Sequence, residues 1–128
     1  MMTEPIAPPL SHYLKEEVAV CVAFRDGKIL VVPDPVPVLR NEMERVHWFA
    51  CGDVTIEAIV FGPRPGEIQD PPSPFEGTIE LHPKKKHGIS GKVLASIPDK
   101  SKPFKYTVTV SYSGTPVPAL DPEVQVMP

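Results

Sequence analysis

The residues best suited to chemistry sit in two short stretches. His47 to Asp53 reads HWFACGD and holds one of two cysteines, one of four histidines and the only tryptophan. His82 to Gly88 reads HPKKKHG and sets two imidazoles around three lysines. On a helix, His47 and Cys51 would face each other four residues apart, and a thiolate nucleophile would have its base. On a strand the same two residues share a face but lie roughly 13 Å apart, at about 3.3 Å per residue. The second stretch offers a phosphate-binding loop, or two metal ligands that need a third from elsewhere. Three adjacent cations repel a divalent metal, so the expected reading is a solvated hairpin loop.

The remaining motifs are weaker. GISGK, residues 88–92, has neither the spacing of a phosphate loop nor a following helix, and reads as a turn. Acidic residues are scattered, without DxD or HExxH, and no Gly-x-Ser-x-Gly elbow is present. No catalytic constellation is visible, so the expectation is a protein that is not an enzyme, with no catalytic residues, cofactor or metal. PPSPF, residues 71–75, would suit a proline-reading domain, or a loop that closes onto its core phenylalanine.

Prolines show which elements position these residues. The chain has 18 prolines among 128 residues, about 14% against a usual level of roughly 5%. Proline cannot donate to a sheet ladder and is excluded from helix interiors, so proline-free windows mark regular elements. FKYTVTVSY, residues 104–112, alternates without a break, with Phe104, Tyr106, Val108, Val110 and Tyr112 on one face. That is a strand with one buried and one wet face. VAVCVAFRDGKILVV, residues 18–32, holds two β-rich runs around Asp26-Gly27, a pair that supplies the positive φ angles of a tight hairpin. Further strands are expected at 45–51, 54–61, 78–82, 92–97 and 123–127. Only SHYLKEE and NEMERV have a helical look, and both are short.

Seven or eight strands joined by proline-rich turns predict an all-β, antiparallel β-sandwich. It forms a single domain over 17–128, with an N-terminal arm over 1–16. NEMERVHWFA could be drawn as a helix, but the β-rich VTIEAIVF and the turn-like Gly52-Asp53 favour two strands. In these Trp48 faces opposite to His47, alongside Val46 and Ala50, as a core anchor. Cys21 reads as a small buried filler in its strand.

The formal charge of −3 gives no general attraction to nucleic acid or to an anionic membrane. The start has no basic region followed by an apolar run, and the longest apolar run, VAVCVAF, is too short to span a bilayer. The expectation is a cytoplasmic protein with both cysteines as free thiols.

The succession VHWFACGDVTIEAIVF, PPSPFEG, PFKYTVTV and LDPEVQV, over roughly 45–127, resembles small bacterial β-sandwich domains of the cupredoxin-like or immunoglobulin-like class. The resemblance implies a fold far more than a function, because many such domains have no assigned activity. A blue-copper site needs two imidazoles, a thiolate and usually a methionine, and the family places most of them on one loop between the last two strands. The corresponding segment here, SGTPVPALDP, residues 113–122, contains none of them.

The leading expectation is a binding or assembly module that meets a protein partner, or copies of itself, through loops and sheet edges. The longest connection, GPRPGEIQDPPSPFEG over 62–77, is stiffened by proline and carries Arg64, Ile68 and Phe75 as candidate contacts. Fixing a stiff loop against a partner costs little entropy. Two alternatives belong to other classes: a small metal-binding or thiol protein that uses His47, Cys51, His82 or His87, and a structural subunit of a phage or protein assembly.

Overall fold

A computed structural model of the chain describes residues 17–63, 66–82, 84–98 and 101–128. The expected N-terminal arm, with its helical-looking SHYLKEE, lies outside the described residues. The described chain forms ten strands and no helix: β1 (Glu17–Arg25), β2 (Lys28–Val32), β3 (Val36–Leu39), β4 (Arg45–Ala50), β5 (Val54–Phe61), β6 (Glu80–Leu81), β7 (His87–Ile89), β8 (Phe104–Tyr112), β9 (Thr115–Pro116) and β10 (Glu123–Met127). Two sheets pack face to face. The first has the order β2-β1-β4-β7-β6, and the second β3-β10-β8-β5, with β9 pairing antiparallel with the end of β8.

The β1–β2 hairpin turns at Asp26-Gly27, with φ angles of 53° and 78°, the left-handed values that its sequence requires. After β2 the chain turns through Pro33-Asp34-Pro35, crosses to the second sheet as β3, and returns by a turn at 40–43 to β4. That excursion lays β4 parallel to β1, and β3 likewise runs parallel to β10. The sheets are therefore mixed rather than purely antiparallel. Alternation within a strand fixes its buried face but not the direction of its neighbour.

NEMERV is not helical; it forms the 40–43 turn and the start of β4. The strand expected at 92–97 is reduced to one bridge, Val93 to Phe75. There Gly91 is required, because a Cβ would come within 2.1 Å of the Glu76 carbonyl oxygen. Strands β3, β7 and β9 were not expected from sequence. Pro37 lies inside β3, and an edge strand tolerates proline where a central one does not.

The core lies between the sheets. Trp48, Tyr106, Ile56, Ile97 and a set of valines from both layers are fully buried. The Trp48 indole Nε1–H donates to the Tyr106 hydroxyl at 3.2 Å, and the two rings meet edge to face with centroids 5.5 Å apart. Burial pushes the Tyr106 phenol well above its ordinary pKa, so it stays a neutral hydroxyl that can accept this bond. Phe61 packs on Tyr106, and Phe75 packs edge-on against Phe61.

Candidate functional site: the outer face of the first sheet

Strand register sets which side chains share the solvent side of the first sheet. Val32 pairs with Cys21, Cys21 with Phe49, and Phe49 with His87. The next row runs Ala19, His47, Ile89 and Glu80. On the other side of the Cys21 row, Leu30 lies beside Ala23. The middle strand thus presents a floor of Ala19, Cys21 and Ala23. Leu30 and Val32 rise on one side of it, and His47 and Phe49 on the other. Val32 is 62% exposed and Leu30 41%. Charged residues rim the patch: Arg25 and Lys28 at one end, Glu17 and Arg45 at the other, with Glu80 beyond Ile89.

The expected role of Cys21 as a buried filler does not hold. It stands half-buried on the outer face and is disulfide-bonded to Cys51, with Cα atoms 6.6 Å apart. Both expected free thiols are therefore corrected. The register explains why: Cys51 follows β4, which runs parallel to β1, and the Cys51 amide donates to the Val22 carbonyl. That contact brings Cys51 beside Cys21. A thiol–imidazole pair between His47 and Cys51 is excluded because both lie on an extended segment.

The expected hairpin is present with His82 exposed, but His87 is half-buried rather than solvated. They face each other across the β6–β7 hairpin, with the His82 amide donating to the His87 carbonyl at 3.0 Å and ring centroids 5.3 Å apart. His47 Nε2 lies 3.1 Å from His87 Nδ1, and His47 Nδ1 lies 3.4 Å from Glu17 Oε1. Phe49 stacks on His47 and meets His87 edge-on. Partial burial, reinforced by the neighbouring His47 and His82, holds the His87 pKa below its ordinary value. The sequence held His47 and His82/His87 as separate candidates, and the fold brings His47 onto His87 and sets His82 across the hairpin from His87. Two of the three lysines of HPKKKHG are held away from the histidines. Lys85 pairs with Glu57 at 2.8 Å, and Lys86 bonds the carbonyls of Gly52 and Val54.

The long loop distributes its three candidates unequally. Ile68 is 97% exposed, whereas Phe75 is 3% exposed and serves the core. Arg64 lies outside the described residues. Beside Ile68 a cleft of about 310 Å³ opens between Glu67, Gln69 and Pro63 on the loop and Lys102, Pro103 and Lys105 opposite. The Gln69 side chain ties the two walls by donating to the carbonyls of Lys102 and Pro103.

The outer apolar patch was missed in the sequence, although a signal was there. VAVCVAF is apolar at every position, and such a strand has apolar residues on both faces rather than one.

Compared with models of protein families and with curated proteins, the chain matches neither. No described helix is long and apolar enough to cross a membrane.

Proposed function

We propose that the protein is a non-enzymatic binding or assembly module, and that it meets its partner through the outer face of the first sheet and the free edge of β2. One observation carries this reading: Val32 and Leu30 stand exposed beside half-buried Phe49 and Ile89, in an apolar patch rimmed by charge. Such patches mark contact surfaces more often than solvated ones.

The edges agree. Strand β3 carries Pro37 and β6 is only two residues long. Strand β5 has a register shift between Ile56 and Ala58, and its Ile56 amide is taken by the Lys85 carbonyl. Proline, shortness and bulges are the devices that blunt sheet edges. Strand β2, KILVV, has none of these three, and its one charge, Lys28, stands at its first residue. A partner strand added there would extend the sheet and cover Val32 and Leu30 together.

Light scattering of the tag-free chain, followed by cross-linking in host lysate, tests the reading. Self-association, or capture of one protein, is expected for the wild type and is lost in the Leu30→Asp/Val32→Asp variant. If every association found survives that double substitution, this reading fails. A second reading places the contact on the long loop, favoured by fully exposed Ile68 beside its cleft. Replacing residues 64–72 with a Gly/Ser linker of equal length separates the two, since Phe75 is retained.

A further inference from the structure

We propose that His47, His82 and His87 bind a divalent transition-metal ion, zinc above all, on the open face of the first sheet. The argument begins with two nitrogens already facing each other. His47 Nε2 and His87 Nδ1 are 3.1 Å apart. Two ligands held at about 2.0–2.1 Å from a tetrahedral zinc lie roughly 3.3–3.4 Å apart. The separation is therefore already close to that of two ligands in a coordination tetrahedron, and each ring must also turn so that both lone pairs aim at the ion instead of along the N···N line.

Glu17 supplies the orientation. Its carboxylate lies 3.4 Å from His47 Nδ1, so it favours the tautomer with the proton on Nδ1 and leaves the Nε2 lone pair aimed at His87. A carboxylate behind a ligating imidazole is the usual outer-shell partner in metal sites. In the metal-free state the His87 Nδ1–H donates to His47 Nε2. On binding, His87 keeps one N–H but moves it to Nε2 through solvent, so both lone pairs face the ion with no net gain or loss of protons.

The third ligand is His82. As the side chains stand, no group of three His, Cys, Asp or Glu residues is converged for a metal among the described residues. His82, however, is exposed and fixed by its backbone directly across from His87, and turning an exposed ring between staggered rotamers costs little. The lysine repulsion expected from HPKKKHG is reduced for two of the three cations, because Lys85 and Lys86 are tied to Glu57 and to the 52–54 backbone, and exposed Lys84 remains in water. Three imidazoles leave a fourth position open to water, or to a donor carried by whatever covers this face.

The test uses the full chain without a His-tag, stripped with chelator and titrated with zinc chloride by calorimetry and with cobalt(II) by visible absorption. One equivalent is expected to bind, with the strong absorption of tetrahedral cobalt. Glu17→Gln is expected to weaken binding roughly 10–100-fold, as outer-shell substitutions do. His47→Ala and His87→Ala should each weaken it further. His82→Ala alters an exposed residue and should remove the tetrahedral cobalt spectrum while leaving the melting temperature unchanged. Absence of saturable binding overturns the proposal. So does binding that persists undiminished in His87→Ala or in the exposed His82→Ala variant, because the ion is then held elsewhere.

Discussion

The two outer faces of the sandwich are built from the same kind of strand and both carry exposed apolar side chains, but they differ in how their polar groups are placed. On the second sheet, Lys105, Thr107 and Thr109 point outward from β8 with Ser111 buried at its end, and Val60, Leu39 and Met127 stand exposed on the other strands of that sheet. Most of the polar groups have a polar partner. Lys105 pairs with Glu123, Thr107 donates to Asp121 at 2.9 Å, and Ser111 donates to Glu57 at 2.6 Å. The Lys85 and Ser111 contacts hold the Glu57 carboxyl below its usual pKa. The first sheet instead turns Leu30, Val32, Phe49, Ile89 and three small residues outward, with the histidines beside them. Most of the polar groups along β8 are satisfied within the folded chain. An apolar face leaves its free energy to be gained in a contact.

The largest expected effect destroys both faces together. Trp48 spans the space between the sheets, so Trp48→Ala should cost about 3–5 kcal/mol, a large part of the roughly 5–15 kcal/mol of a typical domain. Urea denaturation measures it, with Trp48→Phe as a milder variant that loses the bond to Tyr106 but keeps most of the packing. An unchanged melting temperature in the alanine variant would mean that the sheets do not meet through this residue.

Next comes a change confined to the first sheet. The Cys21–Cys51 disulfide closes a sequence separation of 30, and removing a constraint on a loop of that size costs about 3–4 kcal/mol in the chain-entropy account. Alkylating the unreduced protein should leave both sulfurs unmodified by mass spectrometry. Cys21→Ala/Cys51→Ala should lower the denaturation midpoint by a matching amount. Two alkyl adducts on folded, unreduced protein would restore the free thiols expected from sequence.

Period and turn chemistry made much of this fold legible. The alternation of FKYTVTVSY marks β8 at its observed bounds, Asp-Gly marks the first hairpin, and 54–61 and 123–127 emerge as β5 and β10. Trp48 faces the core with Val46, as its alternation requires. What stayed hidden depends on contacts between distant segments. The Cys21–Cys51 pairing needs β1 and β4 to be parallel neighbours, and no local pattern records that. His47 meets His87 only because β7 lies beside β4. Strand β3 was screened out by its proline, since the same residue that breaks a central strand protects an edge one. Phe75 was legible both as a plug and as a contact, and burial decides that it packs in the core.

A smaller effect on stability, but a sharper test of the two faces, comes from exchanging their character. Leu30→Asp/Val32→Asp should abolish association while changing stability within about 0.5 kcal/mol, as surface substitutions usually do. The opposite exchange on the second sheet, Thr107→Val/Thr109→Val, widens the apolar surface beside exposed Val60 and should add association through that face. Sedimentation at several concentrations reads both variants. If the aspartates leave association intact and the valines add none, the apolar character of a face does not set where this protein makes contact.

The smallest expected effect distinguishes the faces by the pH at which each responds. His87 has a folded pKa below the ordinary 6.5, so the unfolded chain takes up its proton first as pH falls. Above about 6.5 both states are neutral at this residue and it contributes no slope. Below that value stability falls, and it levels off once the folded imidazole is also protonated. The groups around it are His47, which is backed by Glu17, and His82, and none of them offers His87 a carboxylate of its own. Glu57 on the second sheet has the opposite sign. Its folded pKa lies below the ordinary 4.5, so its contribution is present above that value and is lost as pH falls through the folded one. Both groups lie near solvent, and both effects are small. Urea denaturation in chelator from about pH 7.5 to about pH 3 should therefore show two separate declines. His87→Gln should flatten the one just below 6.5 and leave the acidic one in place, while Glu57→Gln should do the reverse. A His87→Gln variant that keeps the upper decline would show that the histidine cluster of the first sheet is not what senses protons there.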